Sequence, residues 1–314
     1  MEETDFENKN ILIIGADGFI GSHLFLRLKS LSKNIVRTVY TSGSEKNQVY
    51  KVDIRDKEKV KDIFKKKNFN TIYYLAGLIN VYESLKNPEL YYQVNTFGTL
   101  NIMENIRKYQ ENSKIIFASS ALVYGKPMYL PIDETHPLNP ITPYSSSKSS
   151  AEQIIHGYSK TYGIRAVILR IFNVYGPKQN YNLFIPAFIR RCLESKQILI
   201  GNINVTRDYI FINDLVEAML KVALYSNNEI EYFNIGSGKE IQLETIVNYI
   251  LQLSKRDKSF LHKSQDLVRE NKNEISRIYA DITKAKNKLN WTPKTSLKEG
   301  LNITYKYYKQ NKIS

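Results

Sequence analysis

The sequence predicts an α/β protein built on a doubly wound parallel sheet, with a smaller α/β lobe in its C-terminal part. Three observations predict this. Short apolar runs alternate with amphipathic stretches from Lys9 to Ile171, and strands that alternate with helices form parallel sheets covered on both faces. The first apolar run passes directly into a turn with glycines at i, i+3 and i+6: Gly15, Gly18 and Gly21. Beyond Asn173 the rhythm becomes irregular, which marks a second, differently built region.

Taken in order, Lys9–Ile14 reads as a buried strand and Gly21–Leu31 as a helix with Leu24, Leu28 and Leu31 at helical spacing. Asn34–Tyr40 is the second strand and Val49–Asp53 a short third. Lys57–Lys67 places Val60, Ile63 and Phe64 on one helix face. Thr71–Leu75 is the fourth strand, Pro88–Tyr109 a single long helix and Lys114–Ala118 the fifth strand. Pro127, Pro131, Pro137, Pro140 and Pro143 then interrupt the pattern. A helix resumes near Tyr144, runs to about Tyr162, and is followed by strand Arg165–Ile171. This divides the chain into a dinucleotide-binding sheet domain, residues 1–172, to which 205–236 return, and a mainly substrate-binding lobe, 173–314.

Composition narrows the classes of function. At 314 residues the chain is long enough for a sizeable core. Its longest uncharged apolar runs, such as Ile11 to Ile14 and Ala166 to Leu169, are far too short to span a bilayer. The first ten residues are polar and acidic and carry no secretory pattern, so a cytoplasmic location is the expectation. Cys192 is the only cysteine, which excludes a disulfide within one chain and a cysteine-based metal site; no metal is expected. The net charge of +14 points either to an anionic partner or to a lysine-rich surface. The charge is scattered through Lys57–Lys67, Lys255–Lys272 and Lys284–Lys298 without a nucleic-acid motif, so no specific nucleic-acid partner is expected.

The glycine turn carries the first chemical information. In a Rossmann-type dinucleotide turn one glycine permits the tight bend, one lets the backbone approach the pyrophosphate and one lets helix pack on strand. The pyrophosphate then sits at the helix N-terminus, where free N–H groups and the dipole favour an anion. Gly15-Ala16-Asp17-Gly18-Phe19-Ile20-Gly21 has a strand before it and a helix after it, as such a site requires. The usual NAD marker is an acid at the end of the second strand. Here that region reads Arg37-Thr38-Val39-Tyr40-Thr41-Ser42-Gly43. Its hydroxyls and Arg37 tilt the expectation slightly from NAD towards NADP. Asp53, after the third strand, is placed either for the adenine edge or as a cap of the next helix.

Tyr144 and Lys148 stand four residues apart, a spacing that puts both on one helix face. Removing a hydride from a carbinol carbon requires a base for the hydroxyl proton. A free phenol, with a pKa of about 10, is a poor base at neutral pH, and a neighbouring ammonium favours its ionised form. In a chain with 23 tyrosines such a pair also arises by chance on a surface helix. Ser120, however, ends the fifth strand, where a hydroxyl faces the ligand crevice of a doubly wound sheet. Its alternative role is that of a turn serine.

Together these motifs resemble those of the extended short-chain dehydrogenase/reductase family, the nucleotide-sugar epimerases and dehydratases. The resemblance runs nearly end to end: Gly15–Leu24, Asp53-Ile54, Tyr74–Gly77, Asn95 with Gly98-Thr99, Ser119–Gly125, Tyr144 with Lys148, Arg170–Pro177, Arg207–Leu215, Asn234–Gly238 and Asp281–Pro293. It implies Tyr144 as general base, Lys148 as its partner and ribose ligand, and Ser120 as the contact to the substrate hydroxyl. It implies Gly15, Gly18, Phe19, Ile20 and Gly21 at the pyrophosphate and Leu75, Ala76 and Gly77 along the nicotinamide-side ribose; Tyr40, Thr41, Asp53, Ile54 and Asn95 complete the expected cofactor-binding set. A nucleotide-diphosphate sugar would be held by Asn173 and Arg207, with Asn182 and Arg269 as weaker candidates. Guanidinium forks suit a diphosphate, although either arginine equally serves a surface ion pair.

The family's dehydratases carry an Asp-Glu pair after the catalytic hydroxyl residue, where this chain has Ala121 and Leu122. Neither side chain transfers protons, which disfavours dehydration and leaves a 4-epimerase, or a reductase that consumes NADPH on a 4-keto sugar. A non-catalytic dinucleotide sensor is the distant alternative. The resemblance also implies a homodimer formed through Pro88–Tyr109 and Tyr144–Tyr162, whose apolar faces could equally be core.

Overall fold

A computed structural model describes residues 5–41, 43, 47–195, 197–263 and 275–311. Its first part runs β1 (Ile11–Ile14), α1 (Phe19–Leu28), β2 (Ile35–Val39), β3 (Val49–Lys51), α2 (Lys57–Lys66), β4 (Thr71–Tyr74), α3 (Val81–Lys86) and α4 (Pro88–Tyr91). A π-helical stretch, Tyr92–Phe97, leads into α5 (Gly98–Tyr109), β5 (Lys114–Ser120), a 3-10 turn at Ala121–Tyr124, α6 (Pro143–Tyr162) and β6 (Arg165–Ile171). The remainder comprises β7 (Asn173–Tyr175), α7 (Phe184–Glu194), β8 (Ile198–Ile200), β9 (Thr206–Arg207), β10 (Tyr209–Phe211), α8 (Ile212–Leu224) and β11 (Glu231–Ile235). It ends with β12 (Ile241–Gln242), α9 (Leu243–Leu253), β13 (Leu261–Lys263), α10 (Thr283–Leu289) and α11 (Leu297–Gln310).

Seven strands form one sheet in the order β11-β6-β5-β4-β1-β2-β3, every neighbouring pair parallel. The residues of β1, β4 and β5 are buried throughout, so these strands read as continuous apolar runs rather than alternating ones. Each strand nevertheless divides its side chains between two cores. Ile11, Ile13, Tyr73 and Ile116 pack with Leu24 and Leu28 of α1 and Leu215 and Met219 of α8. Leu12, Ile14, Ile72 and Phe117 pack with Val60 of α2, Ile102 of α5 and Ile155 of α6. Fully burying one such side chain contributes about 1.5–3 kcal/mol, so helices on both faces are the arrangement that leaves neither set wet.

Strand order reverses beside β1, whose neighbours are β2 on one side and β4 on the other. Ligands of open α/β sheets bind in the crevice outside the strand carboxyl ends at such a switch point. The residues on either side of it are the glycine turn after β1 and Leu75–Gly77 after β4.

Two helices differ from their sequence expectations. The first begins at Phe19 rather than Gly21, because Gly18 already has the extended conformation of an N-cap. The single helix expected over Pro88–Tyr109 contains the wider π turn at Tyr92–Phe97. That stretch carries Asn95 and Thr96, whose side chains bond to Ser147 of α6, and π turns commonly occur where a helix presents functional side chains. Helix α6 is strongly delimited. Thr142 and Ser145 form a reciprocal capping box, Pro143 occupies the first turn, and Gly163 closes the end at φ +67°.

In the C-terminal region short strands pair far apart in sequence: β7 with β10, β9 with β12 and β8 with β13. Asp208, between β9 and β10, is fully buried. Its carboxylate accepts the Ser237, Gly238 and Ala280 N–H groups and the Ser237 hydroxyl. One carboxylate thus fixes β9, the turn after β11 and the segment before α10. Burial raises its pKa, and these four donors oppose the rise.

Candidate active site

The glycine turn has the shape that a dinucleotide requires. Gly15 lies at φ +87°, and a Cβ there would come within 2.7 Å of the Ala76 nitrogen. A Cβ on Gly21 would overlap the Gly15 carbonyl oxygen. Gly18 differs: its nearest obstacle would be the Gly15 oxygen at 3.4 Å, and no side chain caps the helix it begins. The first amides of α1, at Phe19 and Ile20, therefore stay available to an anion that approaches closely over Gly18. Across the crevice the Leu75 N–H donates to Ile14 (2.9 Å), which carries Ala76 and Gly77 past the turn. A Cβ on Gly77 would meet Asn95 Oδ1 at 2.9 Å and Lys148 Nζ at 3.8 Å. Asn95 is pinned by the Leu78 N–H (2.9 Å), the Leu78 carbonyl and the Ser147 hydroxyl. The residues present fit a dinucleotide.

At the other end of the turn lie the groups that tilt the reading towards NADP. The Thr38 hydroxyl is buried and accepts the Gly15 N–H. The Arg37 guanidinium stacks 3.7 Å from the centre of the Phe25 ring, on the α1 face of β2. The Thr41 hydroxyl donates to Asp17. The Thr38 and Thr41 hydroxyls are thus engaged in holding the turn, and Ser42 lies outside the described residues. Asp53 does not cap α2, because Asp56 does, accepting the Lys59 N–H. The Asp53 carboxylate binds the Arg55 guanidinium at 2.6–3.1 Å and the Arg55 N–H, which lower its pKa. Ile54 is buried with its carbonyl bonded to Asn101, and Tyr40 is exposed.

Tyr144, Ser120 and Lys148 are all buried at the carboxyl end of β5 and the start of α6. The capping box sets the first turn of α6 and hence the Tyr144 phenol, which also packs edge-on against Tyr91. Ser120 ends β5 and accepts the Leu122 N–H. Lys148 Nζ donates to the Ala118 carbonyl at 2.5 Å and lies 4.3 Å from the centre of the Phe117 ring.

The expected lowering of the Tyr144 pKa by Lys148 is not present in the protein alone. Burial raises the phenol's pKa, the Ser120 hydroxyl opposes the rise, and Tyr91 adds to it. Lys148 itself is pushed down to about 8 by burial, against the pull of Glu152. A cavity dry enough to depress an ammonium also disfavours a phenolate.

Below this trio lies a network that sequence reasoning missed. Glu152, fully buried on α6, accepts the Arg170 guanidinium of β6 at 3.0–3.4 Å and the Ser119 hydroxyl. Arg170 also donates to the Tyr124 hydroxyl (3.0 Å) and the Glu134 carbonyl, and Tyr124 donates to Asn234 of β11 (2.7 Å). Burial lowers the Arg170 pKa, but Glu152 and Tyr124 outweigh it and hold the pKa above the ordinary value. The signal was available: 144, 148 and 152 continue one helical stripe.

The substrate-side candidates are less gathered. Asn173 is exposed at the start of β7, with its N–H on the Asp208 carbonyl. Asn182 lies exposed before α7 with its N–H on Asn180 Oδ1. Arg207 donates to the Thr206 and Ser276 carbonyls. Arg269 falls outside the described residues. A cleft of about 330 Å³ lies between Lys126, Pro127 and Leu130 on one side and Ile275, Ser276 and Arg277 on the other. Among the described residues no cluster of His, Cys, Asp or Glu could hold a metal ion, and no helix is long and apolar enough to cross a membrane.

Comparison with known proteins agrees with this geometry. Residues 12–304 match the family described as GDP-mannose 4,6 dehydratase. A putative UDP-glucose 4-epimerase of Methanocaldococcus jannaschii is 40% identical over 316 residues, covering 96% of this chain and 99% of that protein. The crystal structure of UDP-glucose 4-epimerase from Thermotoga maritima with UDP-glucose superposes with a TM-score of 0.86 at 30% identity, covering 96% of this chain and 99% of the other. The Thermus thermophilus UDP-glucose 4-epimerase in complex with NAD gives 0.85 at 26% identity, again over 96% and 99%. The chain therefore belongs to the GDP-mannose 4,6-dehydratase family, within the extended short-chain dehydrogenase/reductase enzymes that epimerise or dehydrate nucleotide sugars.

Proposed function

We propose that this protein is an NAD(P)-dependent nucleotide-sugar 4-epimerase, with Tyr144 as the base for the C4 hydroxyl. The observation that carries the reading is the joint burial of Ser120, Tyr144 and Lys148 at the carboxyl end of β5 and the start of α6, with Lys148 facing Gly77 of the switch-point crevice. A bound oxidised nicotinamide would supply the acceptor, and then the donor, of the C4 hydride. Tyr144 takes the hydroxyl proton and returns it. Ser120 orients the sugar oxygen, and Lys148 holds the ribose and favours the phenolate. The two residues after Ser120 are Ala121, buried, and Leu122, whose N–H bonds Ser120. With no proton-transferring side chain there, the second acid–base step of a dehydration has no carrier, which supports epimerisation.

The sheet domain takes the dinucleotide, and the lobe from residue 173 takes a nucleotide-diphosphate sugar through Asn173 and Arg207, with Asn182 and Arg269 as further candidates. The relatives that carry UDP-glucose in their descriptions support that substrate class. We further read the protein as a homodimer through the Pro88–Tyr109 stretch and α6. Phe97 and Leu100 expose apolar surface there, 62% and 37% accessible. Sedimentation at micromolar concentration should give twice the chain mass, and a monomeric mass refutes this point alone.

The function is tested by turnover on a panel of UDP-, GDP-, dTDP- and CDP-sugars. The expected result is interconversion of C4 epimers with no net change in reduced cofactor. Stoichiometric NADPH consumption on 4-keto sugars would replace the epimerase with the reductase, and absence of turnover with tight dinucleotide binding would favour the sensor.

A further inference from the structure

We propose that Asp17 is the residue that reads the adenosine ribose and makes the protein select NAD, with its free 2′-hydroxyl, over NADP. The inference rests on the dinucleotide part of the proposed function and deepens it. In this class of turn the ribose lies at the carboxyl end of the second strand, where an acid accepts a hydrogen bond from the 2′-hydroxyl. In this chain Tyr40 and Thr41 follow β2, and neither is an acid.

The structure brings the missing charge from the opposite side. Asp17 stands in the glycine turn between Gly15 and Gly18. Its Oδ2 accepts the Tyr40 N–H at 2.8 Å, the Thr41 N–H at 3.3 Å and the Thr41 hydroxyl at 3.4 Å. A carboxylate is thereby fastened to the end of β2, although β2 does not supply it. Asp17 is exposed, and its Oδ1 accepts no hydrogen bond from the described residues, so one oxygen remains to accept a ribose hydroxyl.

Among the described residues, the two arginines nearby do not reverse this preference. A 2′-phosphate is normally met by an unengaged arginine. Arg37 is stacked on Phe25, and Arg55, whose charge reaches Tyr40, is spent on Asp53 through its Nε and Nη2. A phosphate set at this end would face the Asp17 charge, with Arg55 paired to Asp53 and Arg37 held flat against the Phe25 ring. Two like charges about 4 Å apart repel by about 1–4 kcal/mol between water and a protein surface, which corresponds to a preference on the order of five- to several-hundred-fold.

The test is direct binding. Cofactor released from the purified protein by denaturation is identified by mass spectrometry, and the stripped protein is titrated calorimetrically with NAD+ and with NADP+. We expect NAD as the retained nucleotide and at least about fivefold tighter binding of NAD+. Asp17→Asn keeps an acceptor for the Tyr40 and Thr41 N–H groups while removing the charge. It should narrow the NAD+/NADP+ ratio by about tenfold, chiefly by strengthening NADP+. Asp17→Ser serves as a second variant, and the wild-type preference depends on neither variant folding. Equal or tighter NADP+ binding by the wild type, or an unchanged ratio in a folded Asp17→Asn, overturns the role of Asp17 and leaves the epimerase reading standing. Binding of neither dinucleotide overturns both.

Discussion

A buried phenol makes a poor base until something ionises it, and Tyr144 is held in that condition. Burial raises its pKa, and the Ser120 hydroxyl is the influence that opposes the rise. On the proposed mechanism, ionising Tyr144 calls for positive charge brought into the crevice, which would tie base strength to cofactor occupancy. Tyr144→Phe removes the proton carrier while keeping the ring that packs against Tyr91. Its kcat on the best sugar of the panel should fall by about 10²–10⁴-fold, with nucleotide-sugar affinity by calorimetry changed little. A variant that keeps the full rate removes Tyr144 from the chemistry. At this scale Tyr144, Lys148 and Ser120 were legible as types at a spacing. The Lys148 contact to the Ala118 carbonyl was not, because it joins α6 to a strand thirty residues earlier in the chain.

At the scale of elements, α6 orders the site. One face carries Tyr144, Ser147, Lys148 and Glu152, all buried. The π stretch meets this face through Asn95 and Thr96, and β6 meets it through Arg170. The sequence showed α6 and β6 as neighbours in order but not the Glu152–Arg170 pair, since helix periodicity does not say which strand a buried acid will face. The single long helix predicted over Pro88–Tyr109 failed for a related reason: the π turn answers to Ser147, a tertiary partner, and not to local propensity.

Removing one member of a buried pair leaves an uncompensated charge and costs about 3–5 kcal/mol, whereas replacing both by apolar groups is often near neutral. Glu152→Ala should therefore lower the urea midpoint strongly, and Glu152→Leu combined with Arg170→Met should recover much of the loss. If the double variant loses the full sum of the single ones, the pair is not acting as a unit.

For the whole molecule the parallel sheet was legible because its strands are continuous apolar runs joined by helices in regular order. The C-terminal region was not, because β9 and β12 are two residues each and are held by the Asp208 carboxylate across seventy residues of sequence. Burial on this scale also leaves a mark on stability against pH. Lys148 is pushed down to about 8 by burial, with Glu152 opposing. Lys114 is pushed to about 8 by burial, with Arg165 and Lys9 adding to the shift, while it donates to the Val222, Ala223 and Tyr225 carbonyls at the end of α8. In the unfolded chain each lysine titrates at about 10.4. Below about pH 8 both states hold these protons and the full cost of the buried charge is present. Between about pH 8 and 10.4 the unfolded chain binds more protons than the folded one, so stability rises with pH, by at most about 1.4 kcal/mol per pH unit for fully buried Lys148 and by less for the partly solvated Lys114. Above about pH 10 the sign reverses. Tyr73, Tyr74, Tyr124 and Tyr175 have pKa values raised by burial, so their protons stay on the folded chain while the unfolded chain loses them. Urea midpoints measured from pH 7 to 11 should therefore peak near pH 10. Lys148→Met and Lys114→Met should each flatten the rising limb. A rising limb unchanged in the double variant would assign the slope to the relief of the +14 net charge instead.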